Sequence, residues 1–176
     1  MKEKKELDLL RHSRHDWMNI VQIIKGNLAL NRIDRIYEVL EEVSRKAEHE
    51  SCLTNLNIPS LAMYLLTFHW QSHWFTLDVE VHGGTADCSY YEHIWQQFIV
   101  SFFNKLENSV KAGGENELLL TFHTDKSPYL EIDFQGVIED RETLIDWMEM
   151  AETHGGIKLN HKVVNEKEVF FVVMNK

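Results

Sequence analysis

The chain has only two cysteines, Cys52 and Cys88, and they do not form a C-x-x-C pair. This argues against a disulfide framework or a zinc knuckle and leaves both as buried or bystander thiols. Long apolar runs are missing as well. The opening stretch, MKEKKELDLLRHSRHD, is charged throughout, so nothing in it can form a signal-peptide core or cross a bilayer. A cytoplasmic protein without membrane contact is expected. Positive charge is scarce too: 18 Lys and Arg stand against 28 Asp and Glu, a net charge of -10. Phosphate backbones need a basic footprint, so nucleic acid is not expected as the partner. Internal repeats and low-complexity segments are also lacking.

What remains is a globular composition, 44% hydrophobic and 26% charged over 176 residues. That is enough for a small module followed by a domain of about 120 residues. The charge is uneven. Residues 1–35 carry eight Lys or Arg against five acids, a local +3 on an otherwise acidic chain. A mildly basic first helix attracts an acidic pocket or a phosphorylated partner, although a solvated helix face accounts equally well for the same residues.

Leu7, Leu10, Arg14, Trp17, Val21, Ile24 and Leu28 alternate at spacings of three and four, the seam of a heptad helix, and Ile20, Ile23 and Leu30 widen it. After Asn31-Arg32 the pattern returns with Ile33, Ile36, Leu40, Val43 and Ala47. Residues 1–51 therefore read as an antiparallel helical hairpin. A module this small cannot cover so wide an apolar stripe, and dimerisation into a four-helix bundle is the simplest remedy. Packing on the chain's own second domain is the rival. Residues 50–59, ESCLTNLNIP, read as a linker, and Ser60 as the cap of a following helix. Residues 56–176 then alternate between helical and strand periods. Strands are expected near 75–81, 117–123, 129–134, 157–164 and 168–174, and helices over 91–111 and 142–152. The fold class is α+β: the hairpin, then an α/β sandwich.

The chemistry concentrates in His12-Ser13-Arg14-His15-Asp16-Trp17-Met18-Asn19. His15 falls off the seam, with Arg11 four residues before and Asn19 four after on the same helical face, while Asp16 is turned about 100° away. An imidazole titrates near ~6.5, so its neutral ring is available as a nucleophile at cytosolic pH, and the phosphoramidate it forms stays reactive. Arg11 can offset incoming phosphoryl charge and Asn19 can hydrogen-bond the ring or the phosphate. An ordinary surface histidine fits the residues equally well. A metal pair of His12 and His15 lacks a third ligand, because Asp16 is expected to point elsewhere.

The runs HSRHDWMN, IKGNLAL, IDRIYEVLEE and AEHES, and then LTNLNIPSLA and LTFHW, resemble the sporulation initiation phosphotransferase B family of spore-forming bacteria, closely over the first half of the chain and loosely over the second. The resemblance implies that His15 becomes phosphohistidine and that two hairpins form a homodimer. The implied donor is a single-domain response regulator, and the implied acceptor is a response regulator that is the sporulation transcription factor. Magnesium belongs to the regulator, so no cofactor of the chain's own is implied. Arg11, Asp16 and Asn19 are expected to support the reaction, and Arg14, Met18 and Gln22 to meet the docked regulator.

Members of this family carry a second domain similar to the ATP-binding domain of histidine kinases. Here Asn108, within LENSVKA, resembles the asparagine box. Asp133-Phe134-Gln135-Gly136 stands where Asp-x-Gly-x-Gly is usual, and Thr153 to Leu159, with Lys158, where Gly-x-Gly-x-Gly is usual. A degenerate domain that no longer binds nucleotide is expected. An ATP-dependent autokinase and a non-catalytic scaffold for response regulators are the alternatives.

The seam predicts assembly. Sedimentation at micromolar concentration should show a dimer, and Trp17→Glu or Ile24→Glu should give a monomer whose second domain still folds, because an unpaired charge is costly to bury.

Overall fold

The structure, a computed structural model, describes residues 2–84, 86–154 and 156–175. It divides into two compact units, Met1–Glu48 and His49–Lys176. Among the described residues no helix is long and apolar enough to cross a membrane.

The first unit holds α1 (Lys2–Ala29) and most of α2 (Ile33–Thr54). The turn between them follows from Asn31, whose φ of 53° is a left-handed conformation that asparagine tolerates. Around it Arg32 N–H donates to Asn27 O at 2.9 Å and Asn31 N–H to Leu28 O at 3.0 Å, which closes α1 with the paired bonds of a Schellman motif. Half-buried positions recur at helical spacing, Leu9, Asp16, Ile20, Ile24 and Asn27 on α1 and Ile36, Val39 and Val43 on α2. That is the pattern of two helices lying side by side. The seam expected from the heptads lies mostly outside it. Leu10, Trp17, Val21 and Leu28, with Ile33, Tyr37 and Leu40, remain 42–67% exposed. From residue 7 to 48 nothing is buried.

The second unit begins where a linker was expected. Leu53, Leu56 and Ile58 are buried, because the apolar residues within ESCLTNLNIP recur at helical spacing and enter a core. Pro59 opens α3 (Pro59–Leu66), and the capping is done from elsewhere than Ser60. A carboxylate oxygen of Glu92 accepts the Ser60 N–H at 2.7 Å and the Leu61 N–H at 3.3 Å, placing negative charge at a helix N-terminus. The chain continues as β1 (Thr76–His82), α4 (Glu92–Ser109), β2 (Glu117–His123), β3 (Tyr129–Gln135), α5 (Arg141–His154), β4 (Ile157–Val164) and β5 (Glu168–Asn175).

These strands form one mixed sheet in the order β1-β2-β3-β5-β4. The β1–β2 pair is parallel, with α4 as its crossover, and the other pairs are antiparallel. One face supplies Leu118, Leu120, Phe122, Leu130, Ile132, Phe134, Val169, Phe171 and Val173 to the core. Helix α4 answers with Trp95, Phe98, Ile99, Phe102, Phe103 and Leu106, and α5 with Leu144, Trp147 and Met148. The Phe102 ring stands edge-on to Phe171 at 5.2 Å between centroids. Both core indoles have partners: Trp95 donates to the Asn175 side chain at 3.0 Å and Trp147 to the Ser101 hydroxyl at 2.8 Å. The opposite sheet face is polar and half-exposed, with Glu80 on β1 and Glu131 and Asp133 on β3.

One buried asparagine ties three loops. Asn116 Nδ2 donates to Trp74 O at 2.7 Å and to Lys111 O at 2.9 Å, and its Oδ1 accepts the Val137 N–H at 2.9 Å. Asn116→Ala orphans these groups and should destabilise the second unit by about 3 kcal/mol. Urea unfolding checks this, and an unchanged midpoint would show that water replaces the amide.

Candidate functional site

His15 sits on α1 away from the half-buried stripe. Counting ~100° per residue, the stripe of Ile20, Ile24 and Asn27 lies on one side of the helix, and Arg11, His15, Asn19 and Gln22 lie on the other. The His15 side chain is 72% exposed. Met18 is exposed beside it, as are Gln22 and Arg14. Helical periodicity alone thus keeps the face that packs apart from the face that carries the histidine.

The ring is held through one nitrogen. Asp16 Oδ1 lies 3.5 Å from His15 Nδ1, and Asn19 Nδ2 lies 3.3 Å from the same atom. The expectation that Asp16 points elsewhere is therefore corrected: a short side chain at the adjacent position bends across and reaches the near nitrogen. A carboxylate can only accept, whereas an amide offers either its oxygen or its NH2 by turning about its Cβ–Cγ bond. The tautomer with hydrogen on Nδ1 satisfies both neighbours. Its Nε2 then carries the free lone pair.

Arg11 has a partner of its own. Its Nη1 donates to Asp8 Oδ1 at 3.0 Å, so its charge is engaged by a carboxylate about two turns before the histidine. Asp8 was not singled out in the sequence, although its placement seven residues before His15 and three before Arg11 puts it on their face.

In the second unit the residues resembling nucleotide boxes are taken up by the fold. Asn108 Nδ2 donates to Asn104 O at 2.6 Å within its own helix. Asp133 lies inside β3 and accepts from Gln135 Nε2 at 3.0 Å. A Cβ on Gly136 would come within 2.4 Å of Asn116 Oδ1 and 2.6 Å of Phe134 Cζ, so this glycine is required by packing. Residues 136–140 alone join β3 to α5, which Asp140 caps by accepting the Thr143 N–H at 3.0 Å. Hydrogen bonds from Thr143 hold the Asp140 carboxyl below its usual range. In the last box Gly155 lies outside the described residues, and Lys158 is exposed on β4.

Two family models match successive parts of the chain. A model of the α-helical domain of SpoOB-type sensor kinases matches residues 1–56, and a model of the C-terminal part of sporulation initiation phosphotransferase B matches residues 57–176. Sporulation initiation phosphotransferase B of Bacillus subtilis (strain 168) is 42% identical over 143 residues, covering 80% of this chain and 74% of that protein. Among solved structures, the catalytic domain of the histidine kinase ThkA is similar over 69% of this chain and 92% of its own (13% identity, TM-score 0.42). A blue-light activated histidine kinase of Erythrobacter litoralis is similar over 92% of this chain and 59% of its own (9% identity, TM-score 0.40). The chain thus has a helical part bearing an exposed histidine, followed by an α/β sheet domain. It belongs to the sporulation initiation phosphotransferase B family.

The ring geometry makes a spectroscopic prediction. Nitrogen-15 NMR of the neutral His15 ring should show hydrogen mainly on Nδ1, and Asp16→Ala should shift the population toward Nε2–H. A wild-type ring already protonated at Nε2 would contradict the assignment.

Proposed function

We propose that the chain is a phosphorelay phosphotransferase in which His15 Nε2 takes a phosphoryl group from the aspartyl phosphate of a single-domain response regulator. It then passes the group to the aspartate of a second regulator, the sporulation transcription factor. The observation that carries this reading is the exposed ring held by Asp16 and Asn19 through Nδ1, with the other nitrogen left to react. In the first step the Nε2 lone pair attacks phosphorus, the P–N bond forms, and the P–O bond to the donor aspartate breaks. The positive charge that develops on the ring faces the Asp16 carboxylate, while Arg11 lies one turn away to offset the phosphoryl oxygens. The second step reverses the first with a different carboxylate, restoring the neutral ring. Little more is asked of the helix, because phosphoryl transfer depends mainly on position and charge.

In this reading the regulator supplies the magnesium and docks over Arg14, Met18 and Gln22, the exposed residues around His15. No ATP is consumed. The engagement of Asn108, Asp133 and Gly136 in the fold's own contacts supports that part. Two hairpins pair in the cytoplasm through the apolar face that includes Leu10, Trp17, Val21 and Leu28 on α1 and Ile33, Tyr37 and Leu40 on α2. Their exposure of 42–67% supports a second copy as the cover.

The test is transfer from a labelled, phosphorylated single-domain regulator, run beside His15→Ala and an ATP-only control. Label should reach the wild type and not His15→Ala, and only from the regulator. Label acquired from ATP alone would indicate an autokinase. Normal flux between regulators through His15→Ala would indicate a scaffold.

A further inference from the structure

On the outer face of α1, Asp8, Arg11 and His15 stand at positions i, i+3 and i+7, within about 60° of one another around the helix. The guanidinium that could meet a phosphoryl group on His15 is already paired, with Arg11 Nη1 3.0 Å from Asp8 Oδ1. The pair is open to water, its side chains 67% and 44% exposed. We propose that Asp8 is a positioning residue that acts through Arg11 and sets how strongly His15 holds its phosphoryl group. The inference rests on His15 being the phosphoacceptor.

The reasoning is a competition for one cation. An exposed ion pair at this spacing is worth only a small factor in an equilibrium, whereas a guanidinium on a phosphoryl dianion makes stronger, charge-assisted bonds. Arriving phosphate therefore draws Arg11 away from Asp8. The exchange lowers the net gain, because one pair is broken as the other forms. Phospho-His15 is therefore easier to give up. With Asp8 removed, Arg11 would be free from the outset and the phosphoryl group held more tightly. Before any phosphoryl arrives, the same pairing keeps Arg11 from recruiting unrelated anions.

The experiment is the phosphoryl partition at equilibrium between a single-domain regulator and the full-length chain, measured for wild type, Asp8→Asn, Arg11→Ala, Arg11→Lys and the Asp8→Asn/Arg11→Ala double variant. Far-UV circular dichroism of each is recorded to separate partition from helix content. Asp8→Asn should raise the ratio of phospho-His15 to phosphorylated regulator about threefold, an effect that shrinks as salt is added. Arg11→Ala should lower the ratio by a similar factor, Arg11→Lys should partly restore it, and the double variant should match Arg11→Ala alone. A threefold rise that persists without Arg11, or an unchanged ratio in Asp8→Asn, overturns the proposal while the relay reading stands. No label on wild-type His15 removes both.

Discussion

The apolar face of the hairpin is wider than the hairpin can cover. Two helices shield one stripe on each other, and the described residues of that unit, 7–48, include no buried position. Burying one large apolar side chain contributes about 1.5–3 kcal/mol, so leaving Leu10, Trp17, Leu28 and Tyr37 in water forfeits much of what would hold so small a unit together. The cover has to come from another surface. Because α1 turns ~100° per residue, the direction of that cover also fixes where His15 looks: apolar residues occupy one side of the helix, and the histidine with Arg11, Asn19 and Gln22 occupies the other. The packing face and the histidine share one rigid element, and the α-helical period keeps them apart.

The second unit solves its own packing problem and does so with aromatic residues. Trp95, Phe98, Phe102, Phe103 and Trp147 fill the space above a sheet whose inner face is Leu, Ile, Val and Phe. The residues that resemble nucleotide boxes are drawn into the fold's own contacts. Gly136 makes room for Asn116 and Phe134, and Asn108 is bonded to its own helix. The core itself depends on the inward-facing strand and helix residues, and Asn108, Asp133 and Gly136 are not among them.

Most of this was legible from periodicity. The hairpin with its turn at Asn31-Arg32, the helix ending near Asn108 and all five strands lie within a few residues of where the patterns put them. The failures came where local patterns are silent about distant partners. Residues 50–59 read as a linker because polar residues outnumber Leu53, Leu56 and Ile58, yet those three decide the outcome by entering the core. Ser60 was the obvious cap, but the carboxylate that caps α3 is Glu92, more than thirty residues away. The parallel pairing of β1 with β2 depends on the crossover through α4 and has no local signature. At His15 the helical face was readable, and the misreading of Asp16 came from treating angular separation as distance, since a carboxylate on the next residue can still reach the near ring nitrogen.

A relay intermediate faces a constraint that a binding site does not. The phosphoryl group arrives from one carboxylate and leaves for another, so the histidine that carries it must hold it neither much more nor much less tightly than its partners do. Each ~1.4 kcal/mol of extra stabilisation shifts that partition tenfold. A buried pocket with several cations would trap the group. An exposed ring with one carboxylate at Nδ1, one amide and a single arginine already paired to another acid offers stabilisation in small increments. In the proposed relay, exposure does more than admit a regulator: water screens every one of these contacts, and that screening keeps the proposed intermediate within reach of both directions of transfer.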